Sequence, residues 1–439
     1  MAPKLVLVVV DGMTPSAFER AVESGRAPAL SFLAEHGNYR QVTSVFPSLT
    51  PVCLTSIATG AGPGVHHIPS LVWWSRQERR IVEYGSSFAA LRKAGLSQSL
   101  VDTIFNMNER HLSPAATTIY EALEDVGYVA GAVNITCYRG RHRYLPNVPG
   151  LNRAVHGPRR FFFYGLFESD RTGAPFAARS RRAGSVDAYA AAVGRWLVTR
   201  DGFDFLTYYL SGYDFASHAA GPHGEAADRA LEQADAGIRA LLDAAGGPHQ
   251  FLERYAVVLL ADHGQTSVAQ AARLQEPFAD LESEVVVTAS NRAGQVYLLP
   301  GARTDAAELA RRLDGFPAVD VTLRLEGDDV VARRDGADGP VEKLEHPDVA
   351  WRARSALANP NAGELLVSAA EGWELADLGG RHHAGGGSHG SLVAGDSFAP
   401  VVTVGLQAEL RRITDVAPAV LAHFGVPVPQ LMQELAGVG

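Results

Sequence analysis

Residues 5–10 read LVLVVV and run straight into Asp11-Gly12. Six apolar residues in a row leave no polar face, so the segment predicts a strand covered on both sides, as in a parallel sheet. Working outward, residues 205–210 (FLTYYL) and 256–261 (AVVLLA) have the same character. Each also gives way to polar residues: Tyr213-Asp214 after one, Asp262-His263-Gly264 after the other. Residues 129–133 and 401–404 are further strand candidates, and helical periods lie at 15–24, 28–35, 118–126, 186–199, 224–245 and 415–424. This alternation predicts an α/β fold with a doubly wound, mostly parallel sheet flanked by helices. Such sheets bind ligands beyond the carboxyl ends of their strands, where the polar residues fall.

The stretch 265–360 breaks the alternation. It holds strand candidates at 285–288, 295–299, 319–325 and 330–333, a helix at 305–313 and a charged, turn-rich part at 333–340. We expect a smaller α+β subdomain inserted there, with the core running over 1–264 and resuming at 361–439. The resumed part contains the loop GGRHHAGGGSHG at 379–390, too rich in histidine for a plain linker.

Composition narrows the function. The 439 residues are 46% hydrophobic and 20% charged, which suits an ordinary globular enzyme and excludes a disordered tail, a collagen or a coiled coil. The net charge of −9, without a long basic tract, argues against a grip on nucleic-acid duplexes. Cys53 and Cys137 are too few for a disulfide scaffold. No run reaches the ~18 apolar residues of a membrane span, and the opening apolar run is too short for a leader, so a cytoplasmic location is expected. The oligomeric state is left open.

Chemistry concentrates at the predicted strand ends. Asp11 closes the first strand; Asp214 and His218 form an Asp-x-x-x-His pair; Asp262 and His263 are adjacent; His389 sits in Gly-Ser-His-Gly. Three carboxylates and three imidazoles suit divalent transition metals, zinc first, with manganese or iron as alternatives. Six ligands exceed one tetrahedral site and suit two ions roughly 4 Å apart, a clamp for in-line phosphoryl displacement. Upstream, Phe46-Pro47-Ser48-Leu49-Thr50-Pro51 leads into a helix closed by Gly60. Thr50 has the profile of its N-cap, Pro51 of its first residue and Gly60 of its C-cap. Amides and dipole there would hold an anion, and a metal would make the Thr50 alkoxide accessible.

The order Val-Val-Asp-Gly-Met, Phe-Pro-Ser-Leu-Thr, Asp-x-x-x-His, Asp-His-Gly and Gly-x-His-Gly, from Asp11 to His389, resembles the alkaline phosphatase superfamily. Within it the chain is most similar to the type I phosphodiesterase/nucleotide pyrophosphatase branch. The resemblance implies a metal-dependent hydrolase of phosphodiester or pyrophosphate bonds acting on a small phosphorylated substrate. Thr50 would be the nucleophile, passing through a phospho-threonine intermediate that water hydrolyses. Asp11, Asp262 and His263 would hold the metal that also meets Thr50, and Asp214, His218 and His389 the second. A phosphomonoesterase or phosphonate hydrolase on the same core is the alternative; a non-catalytic metal- or nucleotide-binding module is a distant one. Where the branch has an asparagine contacting a phosphate oxygen, this chain has Leu71.

Further candidates for substrate contact are Trp73 and Trp74, the cluster Tyr138, Arg139, Arg141 and Arg143, and His382 and His383 beside the glycine-rich loop. Arginine forks recognise phosphate, and aromatic rings stack on flat groups. The run 158–164 (PRRFFFY) reads equally as a lid, a partner surface or a buried strand.

Overall fold

The Lys4–Val10 strand lies inside an eight-stranded sheet in the computed structural model, which describes residues 3–148, 150–170 and 185–433. The sheet runs Asn38–Thr43, Phe398–Val404, Tyr255–Leu260, Lys4–Val10, Phe205–Leu210, Ala130–Val133, Arg160–Phe163, Phe167–Glu168. The five strands from Tyr255–Leu260 to Arg160–Phe163 are parallel. Phe398–Val404 and Phe167–Glu168 each pair antiparallel to their inner neighbours. The three long apolar runs are buried at almost every position because helices cover both faces. Each fully buried Val or Leu there contributes ~1.5–3 kcal/mol. The helix Glu225–Ala244 shows how that cover is made: Ala227, Ala230, Leu231, Ala234, Ile238, Leu241 and Leu242 form one buried stripe at helical spacing.

Register sets the site. Val9 pairs with Leu260 and Val10 with Leu210, so Asp11, Ser211 and Ala261-Asp262 leave the sheet at one edge. The run at 158–164 is a strand: Phe161, Phe162 and Phe163 are buried in the main core.

A second sheet, antiparallel throughout, orders Val285–Ser290, Ala293–Leu298, Leu365–Ala369, Val319–Glu326, Asp329–Arg334, Ala337–Pro340. Its third strand comes from 365–369, beyond the expected boundary at 360, and residues 337–340, expected as turn, are its edge strand. The LLVSA segment is apolar enough for either sheet; its partners at 293–298 and 319–326 decide. Alternation along it feeds two cores. Leu365 and Val367 pack with Leu309 and Phe278, while Leu366 packs with Val349, Phe46 and Leu392. Phe46 and Leu392 flank the Thr50 and His389 loops, so the second sheet braces the edge where the polar residues gather. No helix among the described residues is long and apolar enough to cross a membrane.

Candidate active site

Beyond the first strand the chain must turn within one residue. Gly12 takes φ +65°, and its N–H donates to Asp262 Oδ1 at 3.1 Å. A Cβ there would stand 2.7 Å from Asp214 Oδ1, so glycine is required by conformation and by space. Gly12→Ala should therefore cost ~1–2 kcal/mol in backbone strain alone and push Asp214 out of place. We expect a lower melting temperature and weaker uptake of added divalent cation, read by mass spectrometry. Uptake equal to that of the wild type would refute that account.

Two trios of side chains meet at this edge. Ligand atoms of Asp11, Asp262 and His263 lie within 4.8 Å of one another, and so do those of Asp214, His218 and His389. His263 Nε2 is 3.4 Å from both Asp11 Oδ1 and Asp262 Oδ2. His218 Nε2 is 3.3 Å from Asp214 Oδ2, the two residues sharing a face of the helix Gly212–Ala220 at i,i+4. His389 Nε2 is 3.7 Å from Asp214 Oδ1. The rings of His263 and His389 stack at 3.8 Å, so the trios are neighbours.

The donor set fits divalent cations. Asp11 Oδ1 and Asp262 Oδ2 are buried and have no hydrogen-bond partner among the described residues, a costly state for a carboxylate oxygen. All three histidines direct Nδ1 to a backbone carbonyl: His218 to Gly387 at 2.8 Å, His263 to Gly264 at 2.9 Å, His389 to Ser48 at 2.8 Å. A carbonyl only accepts, so each ring carries N–H on Nδ1 and turns Nε2 inward; once the proton that Asp214 keeps on His218 leaves, all three offer the lone pair that metal-binding imidazoles use. Burial and the neighbouring Asp262 and Asp214 push the Asp11 carboxyl well above its usual range, and burial raises the Asp262 carboxyl too. Burial opposes charge on Asp214 too, but His218 outweighs it and holds that carboxyl low. Burial would lower His218, yet Asp214 raises it to about 9. Burial, then His263, drives His389 well below the usual imidazole range. Asp11 and Asp262 thus lack enough neighbouring positive charge, while Asp214 has His218.

Two supports carry no sequence signal. Tyr209, from the Phe205–Leu210 strand, donates its hydroxyl to Asp11 Oδ2, and Gln265 Nε2 donates to Asp214 Oδ1 at 2.9 Å. Both are buried residues that pattern alone assigns to a strand and a loop.

Thr50 stands beside the first trio, its Oγ1 3.2 Å from His263 Nε2. It is the first helical residue of Thr50–Thr59, not the cap; Leu49 takes the cap position without a side-chain bond. The expected capping role fails because the hydroxyl faces the histidine. Gly60 closes the helix in the left-handed conformation, as expected. The Val52 and Cys53 amides bond Leu49 O, and Pro51 has none to offer. The Thr50 N–H is left as the first-turn amide without a partner among the described residues.

A cavity of about 520 Å³ opens over Thr50, Asp214, His218 and His389. Leu71, Tyr84, Ser86, Phe215, Asn291 and His383 line it, and none of the described lining residues is Arg or Lys. Of the substrate-contact candidates, Leu71 and His383 are there; the ring of His383 stacks on His218 at 4.1 Å. The others lie elsewhere. Tyr138 is buried against Phe161 and bonds Ile104 O. Arg139 is spent on Glu121 and the Ser113 and Ala116 carbonyls, and Arg141 on Glu121 and Asp125. Arg143 is exposed on the short strand His142–Tyr144. Trp73 packs edge-on against His111, Trp74 pairs with Ile81 in the hairpin, and His382 is exposed. Carboxylates and carbonyls had a prior claim on Tyr138, Arg139 and Arg141, which composition could not show. Asn291, Tyr84, Ser86 and Phe215 were not anticipated.

A family model described as type I phosphodiesterase / nucleotide pyrophosphatase matches residues 5–392. A search for curated relatives by sequence returns no match. Among solved structures, phosphonoacetate hydrolase from Sinorhizobium meliloti 1021 in complex with phosphonoformate superposes with a TM-score of 0.66 at 20% identity, covering 96% of both chains. Murine ectonucleotide pyrophosphatase/phosphodiesterase 5 gives 0.65 at 14% identity over 97% of this chain and 96% of that one. An inactive form of that murine protein in complex with AMP gives 0.64 at 14% identity over the same shares.

Proposed function

Given that the chain belongs to the type I phosphodiesterase / nucleotide pyrophosphatase family, phosphoric ester hydrolases of the alkaline phosphatase superfamily, we propose that it cleaves phosphodiester or pyrophosphate bonds through Thr50. The observation that carries this is the place of the Thr50 hydroxyl: 3.2 Å from His263, at a helix start, under the cavity and beside both trios. Asp11, Asp262 and His263 would hold one divalent cation and Asp214, His218 and His389 the other, zinc best matching the mixed donors. Such cations lower the pKa of a hydroxyl and offset phosphoryl charge.

The rest is the work of this chain's own groups. Thr50 Oγ1 gives its proton to solvent and attacks phosphorus in line; the new O–P bond forms as the bond to the leaving group breaks, and that group takes a proton from water. A diester leaves its remaining ester group on the phosphorylated threonine. Water then attacks that phosphorus and gives up a proton to solvent, its O–P bond forming as the Thr50 O–P bond breaks, and Oγ1 takes its proton back. Ser48 and Gly387 carbonyls keep the His389 and His218 rings from turning, so alignment is set before substrate arrives.

Leu71 in the cavity favours a second reading, hydrolysis of a phosphomonoester or a phosphonate on the same core, because a leucine offers no donor to a phosphate oxygen. Rates on bis-p-nitrophenyl phosphate and p-nitrophenyl phosphate separate the two. The diester reading expects kcat/KM at least about tenfold higher on the diester, a difference of ~1.4 kcal/mol in transition-state binding. Faster turnover of the monoester would replace it.

A further inference from the structure

Leu71 lines the cavity without a hydrogen-bonding group, yet a donor is present, and it comes from the second sheet. Asn291 stands at the turn between Val285–Ser290 and Ala293–Leu298, buried, with φ +56°. The Ser48 carbonyl accepts from His389 Nδ1–H, so His389 Nε2 is an acceptor and the NH2 end of Asn291 faces it, at 3.0 Å. The Ser290 hydroxyl donates to Asn291 Oδ1 at 3.2 Å. An amide NH2 carries two donors, and no other acceptor among the described residues meets this one.

The turn is held rigidly. Leu375 N–H donates to Asn291 O at 2.7 Å, and Arg292 N–H donates to His389 O at 2.9 Å. The Arg292 guanidinium pairs with Asp396 at 2.9 Å, both side chains fully buried. Asp396 Oδ2 in turn accepts from the Ser391 amide at 3.0 Å, two residues past His389. A buried pair with these extra bonds fastens the second sheet to the metal-ligand loop more firmly than an exposed one.

We propose that Asn291 is a phosphoryl-positioning residue: its NH2 donates to a non-bridging oxygen of the bound phosphoryl group, the contact Leu71 cannot make. The second sheet is then part of the active site. The inference rests on the proposed function, since it needs a phosphoryl group above Thr50.

The test uses the full chain loaded with zinc and orthovanadate as the phosphoryl probe, with binding read by calorimetry and metal content by mass spectrometry. Asn291→Gly keeps the left-handed backbone and Asn291→Asp keeps the shape while removing the donor. Both should retain two zinc ions per chain and bind orthovanadate about 10- to 100-fold more weakly. Leu71→Asn, added to Asn291→Gly, should recover at least part of that loss. Unchanged vanadate affinity would overturn the proposal. So would loss of zinc from either variant, because Asn291 would then merely orient His389. A wild-type protein that binds zinc but not orthovanadate would overturn the underlying functional reading, and this proposal with it.

Discussion

Thr50→Ala should lower kcat/KM on bis-p-nitrophenyl phosphate by at least about 10³- to 10⁴-fold, ~4–5.5 kcal/mol, with both metal ions retained. The size follows from geometry. Thr50 is the hydroxyl aimed at His263, the residue is half-buried, and alanine keeps the helix start and the Pro51 that follows. Nothing in the packing gives way, so the loss reports chemistry. Thr50→Ser keeps the oxygen but loses the methyl group that restricts its rotamer; it should keep activity within roughly 10- to 100-fold of wild type. Rapid quench of the wild type during turnover of the diester should trap a p-nitrophenyl phosphoryl group on Thr50. If Thr50→Ala, fully metal-loaded, hydrolyses the diester within tenfold of wild type, water attacks phosphorus directly and Thr50 is a bystander.

The two trios could be read from the chain in large part because most of their members come soon after apolar runs; the helix that carries Asp214 and His218 reads from sequence as a loop, and His389 has only its glycine-rich loop to mark it. Asp11 and Asp262 close apolar runs that can only be buried strands, and Asp214-x-x-x-His218 has the spacing that places both groups on one helix face. Parallel register then brings the runs to one edge. What escaped are contacts that depend on tertiary partners. Tyr209 alternates within a strand like any core tyrosine, and only the fold turns its hydroxyl toward Asp11. Asn291 lies in the stretch read as an inserted subdomain, and its turn looks like any tight hairpin. The cluster Tyr138 to Arg143 misled for the opposite reason: arginines suited to phosphate were already satisfied by Glu121 and Asp125 on a neighbouring helix. Leu365–Ala369 shows the same limit for the fold, since its apolar run is compatible with either sheet until its partners are known.

Charge crowding makes a second, larger expectation, in which stability and activity move in opposite directions. In metal-stripped protein Asp11 is 3% exposed and its carboxyl is raised by burial, Asp262 and Asp214. The folded state thus holds a proton there that the unfolded chain releases near pH 4. Its stabilising contribution is complete below that pH and is lost as pH rises through the raised value. Asp11→Asn removes the titration. The amide oxygen can keep the Tyr209 bond, and the NH2 can donate toward Asp262 Oδ2, which has no hydrogen-bond partner among the described residues. At neutral pH the stripped variant should therefore be more stable than stripped wild type by ~1–3 kcal/mol, an advantage that vanishes near pH 4. Zinc reverses the order: at about 100 times the dissociation constant each occupied wild-type site gains ~2.7 kcal/mol, whereas the variant has lost a charged ligand. Activity of Asp11→Asn should fall at least about 10³-fold even with excess zinc. Melting curves across pH with and without chelator check all of this. If stripped wild type is as stable as the variant at every pH, the carboxylates are not in uncompensated repulsion, and the cluster is not the cation site its geometry indicates.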